Sequence, residues 1–139
     1  MTEGKGYKLD DQIGFKLRVA NQKHLEIFAH EMPDLTPRQF AVLAKLTEVG
    51  PLSQNHLGRL TAMDPNTAQG VILRLLRRRL VMRQPSPEDR RRKLLSLTES
   101  GAALAGRLKE EGRAISEATL APLTARERRQ LLALLARLV

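Results

Sequence analysis

The densest chemistry in this chain is a run of arginines placed just behind a helix start. Asp64-Pro65-Asn66-Thr67 has the residues of a capped N-terminus, and the helix it opens carries Gln69, Gly70, Arg74, Arg77, Arg78 and Arg79. Asn and Gln pair bidentately with adenine, and the Thr methyl can meet that of thymine. Asn66, Thr67 and Gln69 are therefore candidate base-facing residues, and Gly70 would let the helix come close to a nucleic-acid backbone. Arg74 and Arg77 suit phosphate better than bases.

A second basic cluster follows. Pro85-Ser86-Pro87-Glu88-Asp89-Arg90-Arg91-Arg92-Lys93 lies between two apolar runs that read as strands near Val81–Gln84 and Lys93–Leu97. Consecutive residues of a hairpin alternate faces, so the three arginines cannot share one task. Arg90 and Arg91 are the candidates for DNA. Asp89 would be repelled by phosphate and is expected to brace an arginine across the hairpin base. A capped helix can fill a major groove while an Arg-tipped loop reaches phosphates or a minor groove. Upstream, Ser53, Gln54 and Asn55 open another helix whose free N–H groups face the same kind of partner.

These side chains need helices to hold them. Leu9 to His30 reads as a long helix with Ile13, Leu17, Ala20 and Phe28 at helical spacing, ended by Pro33. Thr36-Pro37-Arg38-Gln39 is a capping box for a second helix, which Gly50-Pro51 stops. Ser53 caps a short third and Asp64 a fourth, with a tight break near Met63, which is helix-turn-helix spacing. Thr98 caps a fifth, from Glu99 to about Glu117. Thr124-Ala125-Arg126-Glu127 opens a leucine-rich sixth. The expected fold is mainly α with a small β-wing, a winged helix-turn-helix with N- and C-terminal dimerisation helices. Residues 1–34 and 99–139 would form the dimerisation parts and 35–98 the DNA-binding lobe. The end helices carry more apolar surface than one small lobe needs, and a stripe of that kind marks an interface, here a homodimer.

Composition narrows the partners. The 139 residues are 42% hydrophobic, enough for a core, and carry a formal net charge of +9. From Ser53 to Thr98 ten Lys/Arg face three acids, so most of the excess lies in one third of the chain. Aromatic residues are only 3%, too few for stacking single strands. There is no cysteine, which excludes disulfides, thiolate metal sites and thiol-based oxidant sensing. His24, His30 and His56 lack metal-ligand spacing, so neither metal nor cofactor is expected. No apolar run is long enough for a membrane span, and Met1-Thr2-Glu3-Gly4-Lys5-Gly6 lacks a signal-peptide core, so a cytoplasmic location is expected. No nucleophile–base pair or phosphate-cradling glycine loop suggests an enzyme. A small anion would want a cation and an aromatic wall, and Arg18, His24, Phe28 and Phe40 are the candidates.

The order of elements resembles the MarR family (multiple antibiotic resistance regulators). The resemblance rests on Leu35-Thr36-Pro37-Arg38-Gln39-Phe40, Ser53-Gln54-Asn55-His56-Leu57, Asp64-Pro65-Asn66-Thr67, Asp89-Arg90-Arg91 and Leu97-Thr98-Glu99-Ser100-Gly101. It covers about residues 9–139. It implies a dimeric winged-helix repressor that releases DNA when a small aromatic acid or phenol binds between dimer helices and DNA-binding lobe, with Arg91 entering the minor groove. The opening Leu9–Arg18 resembles regulators of aromatic-acid breakdown, hydroxylated nicotinate included. One departure stands out: members often have Gly before the Leu-Val that starts the wing, where this chain has Arg79. Two other readings fit the charge and the helices: a sequence-unspecific double-stranded nucleic-acid-binding protein, and a helical protein-interaction module.

Overall fold

A computed structural model describes residues 6–139; the first five residues of the expected N-terminal region lie outside the described residues. It contains a short 3-10 turn at Leu9–Asp11, then α1 (Ile13–Glu31), α2 (Pro37–Val49), α3 (Gln54–Leu60), α4 (Pro65–Arg77), β1 (Val81–Pro85), β2 (Lys93–Leu97), α5 (Glu99–Leu120) and α6 (Ala125–Arg137). This is the mainly helical, small-sheet architecture expected. The first helix differs from its expected bounds. Gln12 adopts an extended conformation, so Leu9–Asp11 forms a separate turn and α1 starts four residues later. α5 runs three residues past Glu117.

The chain divides into two compact units, Met32–Gly112 and, separately, the residues up to Glu31 together with Arg113–Val139. In the first unit, α4 is the organiser. Ala68, Val71, Ile72 and Leu75 bury one face of it, and Leu75 is fully inaccessible. They meet α2, α3 and β1, whose Val42, Leu43, Leu46, Leu57 and Val81 are also buried. Gly58 of α3 lies against Ala68, where an added Cβ would approach to 3.3 Å, so two small residues set the close helix crossing. β1 and β2 pair antiparallel, with Val81 opposite Leu97 and Pro85 opposite Lys93. Leu52 adds one bridge on the far edge of β2: its N–H donates to Leu95 O at 3.1 Å and its carbonyl accepts from Leu95 N at 2.7 Å. The segment leading into α3 is thereby sewn to the wing.

The junction of α4 with β1 explains both the departure at Arg79 and the motif at 97–101. Arg79 has φ 58°, the left-handed region that Gly occupies without cost. It is held there from outside. The Thr98 hydroxyl donates to Arg79 O at 2.7 Å, and Thr98 N–H donates to Leu80 O at 3.1 Å. The same Thr98 hydroxyl accepts from Gly101 N–H at 3.0 Å and so caps α5. Gly101 has no Cβ, and one added there would collide with the Leu80 carbonyl.

In the second unit, Arg128 fixes the turn between α5 and α6. Its guanidinium donates to Leu120 O, Leu123 O and the Glu117 carboxylate, the last at 2.8 Å. α6 then presents Leu131, Leu134, Leu135 and Leu138 at helical spacing, all exposed in the single chain. Ile13 and Leu17 of α1 are exposed as well.

Two substitutions at the α4–β1 junction should act in opposite directions. Arg79→Gly removes a backbone penalty of about 1–2 kcal/mol, partly offset by glycine's extra unfolded-state entropy, and should raise stability by about 0.5 kcal/mol. Gly101→Ala overpacks the junction and should lower it by about 2–3 kcal/mol. Urea denaturation of the two variants beside the parent protein checks both signs.

Candidate nucleic-acid interface

The outward face of α4 is the complement of its buried one. Asn66, Gln69, Arg74 and Arg77 are exposed, with Gly70 and Leu73 half-buried between them. Their three- and four-residue spacing puts them on one side of the helix. A Cβ added at Gly70 would meet nothing within 4 Å, so this face is open at its centre. Asp64 starts the helix as expected: one carboxylate oxygen accepts from Thr67 N–H and the other from the Thr67 hydroxyl, both at 2.9 Å. These bonds, the backbone one foremost, hold the Asp64 carboxyl below the usual carboxylate range. Thr67 therefore has its hydroxyl occupied, which leaves its methyl as the group free for a base.

α3 lies beside α4 and begins as the sequence indicates. Ser53 accepts from His56 N–H at 3.3 Å, Gln54 is the first helical residue and Asn55 is exposed. With seven residues, α3 is too short for its dipole to count for much, so the side chains matter more here than the helix end. One of them was missed in the sequence. Arg83 of β1 donates from Nη2 to Gln54 Oε1 at 3.2 Å, which brings a further guanidinium to the start of α3. The pairing register could have found it, because Arg83 lies opposite Leu95, the residue that Leu52 also bridges.

The wing tip is a small closed structure. Ser86 N–H donates to Arg92 O and Arg92 N–H to Asp89 O, both at 2.9 Å. The buried Ser86 hydroxyl donates to Glu88 Oε2 at 2.9 Å. Asp89 does brace an arginine, but within the tip and not across the hairpin base. Its carboxylate accepts from Arg91 N–H at 3.1 Å and from Arg91 Nε at 3.2 Å. The Arg91 side chain, then its N–H, then the charge of Arg92, hold the Asp89 carboxyl below its ordinary range. The short reach explains the difference: Arg91 is two residues away, and its side chain stays 91% exposed while making the contact. Arg90 is exposed beside it.

The four residues considered for a small anion fall in both units. On α1, the Arg18 guanidinium lies 5.5 Å from the centre of the Phe15 ring. His24 Nδ1 is 2.9 Å from the Thr119 hydroxyl. Its ring stands 6.5 Å from that of Phe28, tilted by 59°, and Phe28 is buried. Phe40 belongs to the other unit, on α2, where its ring lies against Gly112. No group of side chains among the described residues could hold a metal ion, and no described helix is long and apolar enough to cross a membrane.

A groove-sized helix with a polar outward face, flanked by a stiff arginine hairpin, defines a winged-helix DNA-binding protein. The comparisons with known proteins agree. Residues 34–92 match the MarR family model. The HTH-type transcriptional repressor NicR of Pseudomonas putida is 42% identical over 135 residues, covering 96% of this chain and 85% of that one. A structure described as the mechanism for regulation of DNA binding of Bordetella bronchiseptica BpsR by 6-hydroxynicotinic acid superposes with a TM-score of 0.91. It is 36% identical and covers 96% of each chain. A mutant MarR of E. coli complexed with operator DNA superposes at 0.83, with 27% identity and coverage of 91% and 93%. The chain belongs to the MarR family and is a DNA-binding transcriptional regulator.

The Asp64 cap yields a test with a definite sign. Because the folded-state pKa is lowered, the stabilisation is present above the unfolded carboxylate pKa and is lost as pH falls through the folded one. Asn caps helices about as well but does not titrate. Asp64→Asn should therefore gain on the parent protein steadily as pH drops below the ordinary Asp range. Denaturation midpoints across an acid pH series would show it, and parallel curves would contradict it.

Proposed function

We propose that the protein is a homodimeric repressor that grips a palindromic operator and lets go when a small aromatic acid binds. The observation that carries the DNA half is the pairing of the exposed Asn66–Gln69–Arg74–Arg77 face with a pre-closed wing that holds Arg91 outward. In this reading Asn66, Gln69 and the Thr67 methyl face bases. Arg74, Arg77, Arg90, Ser53, Gln54 and Asn55 face the sugar-phosphate backbone, and Arg91 enters a minor groove. Residues 1–34 and 99–139 supply the dimer, whose contact includes the leucine stripe of α6 that stays exposed among the described residues. Two-fold symmetry would then set the recognition helices about one DNA turn apart, roughly 34–36 Å.

The effector half is supported by the relatives. BpsR is described as regulated by 6-hydroxynicotinic acid, and Arg18, His24 and Phe28 are the cation, the polar ring and the apolar wall that such an acid requires. The protein would work in the cytoplasm, by recognition and not by catalysis. Release needs an effector with different affinities for the two states of the dimer. Moving the population from 1:99 to 99:1 takes about 5.5 kcal/mol of difference.

Three measurements test this. Operator DNA should outcompete a scrambled duplex of equal length; equal competition would instead indicate unspecific packing. Arg91→Ala should weaken binding to both and reduce the slope of log K against log salt by about 0.9 if it neutralises one phosphate's charge. Addition of 6-hydroxynicotinate should raise the melting temperature and lower operator affinity together. An operator complex indifferent to a broad panel of aromatic acids would remove the effector half and leave the DNA half standing.

A further inference from the structure

The two bonds at Thr119 can be satisfied by only one arrangement of protons. A threonine hydroxyl has a single hydrogen. Here Thr119 Oγ1 donates it to Ile115 O, 2.8 Å away, one turn back along α5. The same oxygen lies 2.9 Å from His24 Nδ1. With its hydrogen committed, it can only accept from that nitrogen. His24 Nδ1 must then carry a proton, and in the neutral ring Nε2 must carry the lone pair. The opposite tautomer would place two lone pairs against each other or force the hydroxyl to abandon Ile115. The half-buried position of both residues makes an unmade bond costlier than on an open surface. The ring itself is steadied by Phe28. Nε2, on the opposite edge of the ring from α5, has no hydrogen-bond partner among the described residues.

We infer that Thr119 is a positioning residue that makes His24 Nε2 a hydrogen-bond acceptor, and so selects effectors bearing a ring hydroxyl or ring N–H over those without one. This rests on the reading of His24 as an effector-binding residue and deepens it. Arg18 answers the carboxylate that all aromatic acids share and cannot tell them apart. A neutral acceptor at a fixed position can, because an acid lacking the donor leaves the acceptor desolvated and unpaired.

The test has two independent arms on the full-length protein. Long-range proton–nitrogen NMR in weakly alkaline buffer reads the tautomer directly, and the expected result is a protonated Nδ1 and an unprotonated Nε2 for His24. Calorimetry then compares 6-hydroxynicotinate with nicotinate. The parent protein should prefer the hydroxylated acid by about tenfold to a hundredfold, the range for one desolvated, unmet hydrogen-bonding group. Thr119→Val, which keeps the shape and removes the hydroxyl, should release the tautomer and bring the two affinities to within about threefold. Thr119→Ser should restore the preference, which a purely packing role for the side chain would not. Melting curves show whether each variant is folded. A protonated Nε2 in the parent protein, or an undiminished preference in Thr119→Val, overturns the inference. If neither acid binds the parent protein, the effector reading fails, while the NMR arm still decides the tautomer.

Discussion

The DNA-reading geometry depends on how α4 ends. A recognition helix and a wing are useful together only if the angle between them is fixed. The backbone junction between them does much of this, with the Leu52–Leu95 bridge holding the strand further along. Arg79 turns the chain through a left-handed conformation, and Thr98 clamps the turn through two bonds, to Arg79 O and Leu80 O. Gly101 gives the Leu80 carbonyl the room to lie against α5. β1 leaves this junction and β2 returns to it, so the hairpin is anchored at the point where α4 stops. The Thr and Gly of the 97–101 motif thus set the frame that carries the arginines further out on the helix and the wing.

The arginines divide into those spent inside the fold and those left facing out. Arg78 donates to Asp34 O at 2.8 Å, Arg83 reaches Gln54 and Arg128 ties α6 to α5. Arg74, Arg77 and Arg90 stay exposed on the recognition helix and wing. The chain's positive charge is therefore not a uniform coat. Its outward part is concentrated where the polar face of α4 and the hairpin tip can share one duplex, and a localised field of that kind steers association as well as strengthening it.

Much of this was legible beforehand, for physical reasons that can be named. Caps are local: Thr36, Ser53, Asp64 and Thr124 each satisfy N–H groups within three residues, so they read directly from the chain. The buried and exposed faces of α4 follow from its periodicity. Features built from distant residues were harder. The Leu52–Leu95 bridge joins a lone residue to a strand more than forty positions away, and one residue has no periodicity to detect. Arg83 went unremarked because its role depends on pairing register. Asp89 was correctly expected to hold an arginine, but spacing alone did not show that the partner was two residues off. Gln12 interrupts the first helix without Gly or Pro, so composition gave no sign of the break.

The pairing of Asp89 with Arg91 has a consequence for how such a protein would find its site. The cation that a minor groove would attract already has a carboxylate beside it, and a duplex that takes up the full guanidinium would have to displace that carboxylate. The cost of that exchange is the same on random and on matched sequence, so discrimination would have to come from the outward face of α4. A built-in competitor of this sort lowers residence on both alike, which shortens each stay on random DNA and would leave a dimer freer to keep moving along a duplex.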